Sequence, residues 1–422
     1  MPARRTDLDF GVVVVSDAMP GVEGTSLGLY FPTGSRHETP ETNGIAHFIE
    51  HLVFKGTSTR SADAINREID LLGGGSNAYT TKEHTCLHAR VLSENLDRAM
   101  HLLADLVTAG LPEGIGVEVE RERGVILSEI RSAEDTPEDL VSHLIDQALY
   151  GEHPLAMPVT GSVEVVEKLD LARLRTHYRE RLASSPLVVS AAGKLDHERL
   201  VARTAELLGG RRTQSLPLAS PAPPLQPGRR IVERDLEQVH LSLSAPGVSA
   251  RDPRWAAAEL LSIAVGDGYS SRLFREVRDR RGLAYAIYTS LVSYLDTGSF
   301  NVDCAVAPGK LAEAFEVILG VLAGVRDRGI EDDELEAAKQ QLRSSLLLGH
   351  EATGARMSYL ADQVLSGEEN LELERDLEAV DSVGGAEVRD LAGELFSAPL
   401  ALAAVGPRCD GALPGDAFEL PG

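Results

Sequence analysis

Two hydrophobic periods alternate along this chain. Apolar residues return at helical spacing over residues 97–111, 118–133, 255–265 and 311–325, and shorter runs of strand type lie between such segments. Alternation of this kind predicts an α/β or α+β class. The alternation also repeats. Val91-Leu-Ser-Glu-Asn-Leu-Asp-Arg-Ala-Met-His-Leu-Leu has the shape of Val306-Ala-Pro-Gly-Lys-Leu-Ala-Glu-Ala-Phe-Glu-Val-Ile, 215 positions later. Each reads as a strand end, a turn and an amphipathic helix. Leu27-Gly-Leu-Tyr with Pro32 matches Leu241-Ser-Leu-Ser with Pro246 at an offset of 214, and Glu118-Val-Glu matches Glu334-Leu-Glu at 216. Between the two series, Ser215 to Gly228 holds five of the 21 prolines in fourteen residues. Such a stretch continues neither a helix nor a central strand. The expected organisation is an N-terminal domain, 1–212, a Pro-rich linker, 213–228, and a related C-terminal domain, 229–422.

Composition narrows the classes. A chain of 422 residues is too long for one ordinary core. With 41 Lys plus Arg against 65 Asp plus Glu, the net charge is −24. That excess argues against nucleic acid, whose phosphates demand clustered cations, and against an anionic membrane surface. A basic peptide remains a suitable partner. Cys86, Cys304 and Cys409 are far apart and form no CxxC, so neither a disulfide framework nor a cysteine zinc site is indicated. The basic N-terminal residues are followed only by the short apolar run Val12–Val15, which is no secretory leader. No apolar stretch approaches the roughly 18–20 residues of a bilayer span. The expectation is a cytoplasmic, soluble protein.

The sharpest chemistry lies in Gly44-Ile-Ala-His47-Phe-Ile-Glu50-His51-Leu-Val-Phe54. Ile45, Phe48, Ile49, Leu52 and Val53 suit a buried helix. On it His47, Glu50 and His51, at i, i+3 and i+4, share one face. Two histidines one turn apart can aim a ring nitrogen each at one zinc ion. The glutamate between them then lies beside the metal, placed to take a proton from a bound water. This is the HxxEH order, the reverse of HExxH. The plain alternative is an amphipathic helix with two solvent-facing histidines. A catalytic zinc site wants a third protein ligand, and the helical run from Val117 to Ile130 offers Glu118, Glu122 and Glu129, the last two being two turns apart on one face. One of these is suited to ligate and another to orient a histidine. A solvated acidic face is the alternative for each taken singly. His84 and His88 are also four apart, but their Thr- and Val-containing surroundings read as strand. Residues four apart in a strand are separated by about 13 Å, too far to share an ion.

His47-Phe-Ile-Glu-His-Leu-Val-Phe-Lys-Gly-Thr57 closely resembles the active-site segment of the pitrilysin / mitochondrial processing peptidase family of zinc peptidases. Other segments resemble that family in the same order. Leu72-Gly-Gly-Gly-Ser-Asn77-Ala78 and the residues after it resemble the strand that follows the active-site helix. Glu122-Arg-Gly-Val-Ile-Leu-Ser-Glu129 resembles the ligand helix, and Gly151-Glu-His-Pro-Leu a recurrent turn. Ser270-Ser-Arg-Leu-Phe-Arg-Glu-Val-Arg278-Asp-Arg-Arg-Gly-Leu-Ala-Tyr285 resembles the substrate-binding Arg/Tyr segment. The likeness runs from about residue 10 to Gly406.

The resemblance implies an α+β fold. It would comprise two homologous α/β-roll domains related by an internal repeat, each a mixed, largely antiparallel sheet packed with helices. It implies one zinc ion per chain held by His47, His51 and Glu129. Glu50 would be the general base, and Glu122 would support it from behind the ligands. Asn77 and Ala78 would lie on an edge strand that takes up the substrate peptide as a further strand. Arg278 and Tyr285 would contact substrate and help stabilise the oxyanion. Arg278 also has a simpler reading, as part of a solvated basic face with Arg275, Arg280 and Arg281, and Tyr285 as a core aromatic. At the repeat offsets His47, Glu50 and His51 fall opposite Leu261, Ala264 and Val265, and Glu129 falls opposite Ser345. The second half therefore keeps the pattern without the metal residues. Family members close a chamber from four such domains, so a chain with two implies a dimer. A homodimer suffices, since both constellations are in this chain. The rival expectations are a non-catalytic core or scaffold subunit of the same fold and a catalytic subunit that needs a different partner chain.

Overall fold

In a computed structural model, which describes residues 2–214, 221–222, 225–415 and 418–421, eleven strands form two sheets. Within the Pro-rich segment, residues 215–220 and 223–224 lie outside the described residues. The first sheet comprises β1 (Arg4–Leu8), β2 (Val12–Ala18), β3 (Gly24–Phe31), β4 (Gly75–Thr80), β5 (Thr85–Leu92) and β6 (Leu187–Gly193), in the order β1-β2-β6-β3-β5-β4. The second comprises β7 (Arg229–Glu233), β8 (Val239–Pro246), β9 (Ala284–Ser293), β10 (Gly298–Val306) and β11 (Ala401–Gly406), in the order β7-β11-β8-β10-β9. Leaving β1 aside, the order is the same in both: first strand, last, second, fourth, third. Each sheet has one parallel pair, β2 with β6 and β7 with β11, and every other pair is antiparallel. These are the mixed, largely antiparallel sheets with packed helices that define the α+β class.

The central strands read as their positions demand. β6 and β11 are runs of Leu, Val, Ala, Ser and Gly buried along their whole length, as strands covered on both faces must be. The expected helical runs appear as Leu96–Thr108, Gly116–Asp135, Trp255–Gly266 and Leu311–Arg328. Leu27, Leu29 and Phe31 of β3 pack with Phe48, Ile49, Leu102 and Leu103 in one core.

The compact units cut across chain order. One comprises Met1–Arg131, Met157–Ser220 and Leu348–Glu372; the other comprises Ser132–Ala156, Pro221–Leu347 and Leu373–Gly422. Each sheet is thus covered on one face by a helix from the other half of the chain. Helix Thr353–Ser366 lies on β6 and β3, where Met357, Leu360 and Ala361 meet Val15, Tyr30 and Val188, and Ser190 Oγ donates to the Met357 carbonyl at 2.6 Å. Helix Pro137–Tyr150 lies on β11 and β8, where Val141, Leu144, Ile145 and Ala148 meet Ala401, Ala403 and Val405. Among the described residues no helix is long and apolar enough to cross a membrane. The three cysteines are buried and free.

Candidate active site

The helix Ile45–Leu52, here the His helix, starts under constraint. Gly44 has φ +90°, and a Cβ there would come within 2.7 Å of Gly161 Cα and of the Thr160 carbonyl. Glycine is required on both counts. A glycine cap brings no side-chain acceptor, so Glu38 supplies one from six residues upstream. Its Oε2 accepts from Gly44 N–H at 2.7 Å and from Asn43 Nδ2 at 3.1 Å, and its Oε1 accepts from Ala46 N–H at 2.9 Å. Asn43 Nδ2 also donates to the Pro158 carbonyl at 2.9 Å, tying the helix start to the segment after Met157. Burial pushes the Glu38 carboxyl up to about 7, against the pull of its three donors and Lys82.

On this helix Ile45, Phe48, Ile49 and Leu52 enter the core, which leaves His47, Glu50 and His51 on the other face. The imidazole centroids of His47 and His51 are 4.8 Å apart at 67°. Helix Gly116–Asp135 brings up Glu129, whose two oxygens lie 3.7 Å from His47 Nε2 and 3.6 Å from His51 Nε2. A tetrahedral zinc ion with bonds of about 2.0 Å needs its donors about 3.3 Å apart. One ligand atom from each of the three residues lies within 4.8 Å of the other two, and among the described residues this is the group suited to a metal ion. Burial, reinforced by His51, pulls the His47 imidazole down to about 4, so it is neutral near pH 7 with a lone pair to give. The donor set therefore fits zinc.

The three glutamates of the second helix divide the work. Glu118 is taken by Arg121 at 2.6 Å. Glu122 is buried and turns Oε2 to His51 Nδ1 at 3.1 Å and Oε1 to Lys55 Nζ at 3.0 Å. Glu129 is the one that faces both Nε2 atoms. Burial also raises the Glu50 carboxyl, with Thr80 of β4 pulling the other way. His84 and His88 do not join the cluster. Both flank the Tyr79 ring, with centroids at 5.7 and 5.8 Å.

Asn77 and Ala78 lie on β4, which is at the edge of its sheet and, among the described residues, pairs only with β5. Arg278 sits on the helical turn Phe274–Asp279, in the second compact unit. Its neighbours in the basic run are matched with acids: Arg272 and Arg275 with Glu334, and Arg280 and Arg281 with Glu276. Arg278 has no ion pair among the described residues. Its guanidinium stacks 4.7 Å from the Phe274 ring and 4.9 Å from the Tyr285 ring. Tyr285 is the second residue of β9 and is 78% exposed, so it is no core aromatic. Sequence reasoning missed Glu38 and Lys55. The signal for Glu38 was present: a helix whose cap is glycine needs an acceptor from elsewhere.

A model of the family described as Insulinase (Peptidase family M16) matches residues 13–163, and one described as Peptidase M16 inactive domain matches residues 168–342. Three bacterial proteins described as uncharacterized zinc proteases are similar over nearly the whole chain. That of Streptomyces coelicolor is 37% identical over 416 residues, covering 96% of this chain and 90% of its own. That of Mycobacterium tuberculosis is 39% identical over 412 residues, covering 96% and 93%. That of Bacillus subtilis is 33% identical over 404 residues, covering 96% and 98%. Two solved structures share the fold at 21% identity over 96% of this chain. A peptidase M16 inactive domain from Pseudomonas fluorescens, 98% covered, gives a TM-score of 0.87. A protease from Helicobacter pylori, 100% covered, gives 0.89. The chain belongs to peptidase family M16, the insulinase or pitrilysin type.

Proposed function

We propose that this chain is a zinc-dependent endopeptidase that hydrolyses peptides or unfolded polypeptide segments. One observation carries the reading: two histidine Nε2 atoms and the Glu129 carboxylate converge, with Glu50 on the same helical face. The relatives named as zinc proteases support it. Zinc bound there would polarise the scissile carbonyl and acidify the attacking water. Glu50 is the general base, its proton affinity raised by burial; it would take a proton from the attacking water and hand it to the leaving amine. Glu122 accepts from His51 Nδ1–H and so leaves Nε2 for the metal. The peptide pairs with the open edge of β4 at Asn77 and Ala78. Arg278, without an ion pair among the described residues, and Tyr285 hold substrate and oppose charge at the carbonyl oxygen. In chain order, the half 1–212 carries the catalytic residues and the half 229–422 the Arg/Tyr pair, each half lending one helix to the other's compact unit. Two identical chains close the chamber, each with one zinc.

Glu50→Gln should keep zinc and fold while losing about 10²–10⁴ in peptidase turnover. Peptide digestion read by mass spectrometry checks this, and wild-type turnover in the variant would end the reading. The net charge of −24 favours cationic peptides by steering. Basic peptides should therefore be cut faster than matched acidic ones at low salt, with the ratio shrinking as salt rises.

A further inference from the structure

We propose that Lys55 is a positioning residue for the metal centre, acting on His51 through Glu122. The inference rests on the zinc reading above. Lys55 lies three residues past the end of the His helix, and its backbone N–H donates to the Leu52 carbonyl at 2.9 Å, which ties its position to the helix end. Its Nζ reaches Glu122 Oε1 at 3.0 Å while Oε2 of the same carboxylate meets His51 Nδ1 at 3.1 Å. Each carboxylate oxygen thus has one partner. Two contacts fix the plane of a carboxylate, whereas one leaves it free to turn about that contact. The Glu122 side chain is only 8% exposed, so an oxygen robbed of Lys55 would have little water to replace it. It would turn toward whatever donor remained, and His51 would lose the acceptor that orients its ring.

The consequence falls on the metal ligand. His51 Nε2 faces Glu129 only while Nδ1 is held on the opposite side by Glu122. Outer partners of ligating histidines are worth about 10–100-fold in metal affinity. Lys55 stands one contact further out and should act near the lower end. Its own side chain is about a third exposed, so the fold does not depend on it as it does on buried Glu122.

The test is zinc affinity of the full chain, measured by competition with a chromophoric chelator, for wild type, Lys55→Met, Lys55→Gln, Lys55→Arg, Glu122→Gln and the Lys55→Met/Glu122→Gln pair. Lys55→Met and Lys55→Gln should each weaken zinc about tenfold, and Lys55→Arg should recover most of the loss. In the Glu122→Gln background, Lys55→Met should cost nothing more, because the contact through which it acts is already gone. Cobalt(II) spectra should shift in Lys55→Met and return toward wild type in Lys55→Arg, while the melting temperatures of the metal-free proteins stay together. Equal zinc affinity in wild type, Lys55→Met and Lys55→Gln would overturn the proposal. So would the same tenfold loss with Glu122→Gln already in place. Failure of the wild-type chain to bind zinc would overturn the functional reading itself, a result distinct from both.

Discussion

The helices Ile45–Leu52 and Trp255–Gly266 hold the same place in two halves whose sheets share strand order, and they are built in opposite ways. The first gives one face to the core and turns His47, Glu50 and His51 to another. The second is buried on ten of its twelve residues, as a helix that is hydrophobic all round should be. Leu261 and Val265, opposite the two histidines, are fully covered. The helix starts differ as well. At the 214 offset Glu38 falls opposite Asp252. Glu38 is buried with its carboxyl pushed up to about 7. Asp252 is half-buried, accepts from Arg254 N–H at 2.8 Å and clasps the Arg254 guanidinium, which holds its carboxyl below the usual range. The sheet survives with either helix, because the apolar pattern carries the fold. A metal site needs more: polar side chains on an inner face, and buried acids that hold them in place.

The strongest way to break this comparison is to put a metal residue into the second helix. Leu261→His buries an imidazole that no partner is placed to meet. It should cost about 3–5 kcal/mol in denaturant unfolding, with zinc content unchanged, since a lone histidine without the other two ligands makes no zinc site and Ser345 falls opposite Glu129 in the sequence. A second bound zinc, or an unshifted midpoint, would break the contrast. A smaller effect should follow Glu38→Ala, which orphans the Gly44 and Ala46 N–H donors and leaves Asn43 only the Pro158 carbonyl, at about 1–3 kcal/mol. Asp252→Ala, at a more exposed start, should cost less, and the reverse ranking would show that the caps are equivalent.

The two acids should also differ in pH response. Glu38 titrates near 7 when folded and near 4.5 when unfolded, so the native state binds more protons between those values. Its contribution to stability therefore falls as pH rises from about 4.5 to 7. Asp252 has a depressed folded pKa, so its contribution is present above its ordinary range and lost only as pH falls through it. Moving from pH 8 to pH 5 should raise the melting temperature of wild type by a few degrees relative to Glu38→Gln. The gap between wild type and Asp252→Asn should stay constant. The opposite sign for Glu38 would show that its three donors, with Lys82, keep it ionised.

What local periodicity determines was legible without coordinates. The 3.6-residue turn puts His47, Glu50 and His51 on one face wherever the helix docks, and the rise of about 3.3 Å per residue in extended chain keeps His84, just before β5, and His88, on it, from sharing an ion. The spacing of 214–216 was legible too as an expectation of two like series of elements, and the two sheets share a strand order once β1 is left aside. Long-range docking decided the rest. Among Glu118, Glu122 and Glu129 the sequence offers three acids on one helix. The first is taken locally, by Arg121 three residues along the same helix, but only the rotation of that helix against the His helix gives the second to His51 and Lys55 and the third to both Nε2 atoms. The same holds for Glu38, for Lys55, and for the helices Thr353–Ser366 and Pro137–Tyr150, each packed on the sheet of the other half. A chain's own period decides which side chains share a face. Which faces meet depends on buried area and paired charges between segments far apart in sequence, and only the tertiary structure decides that.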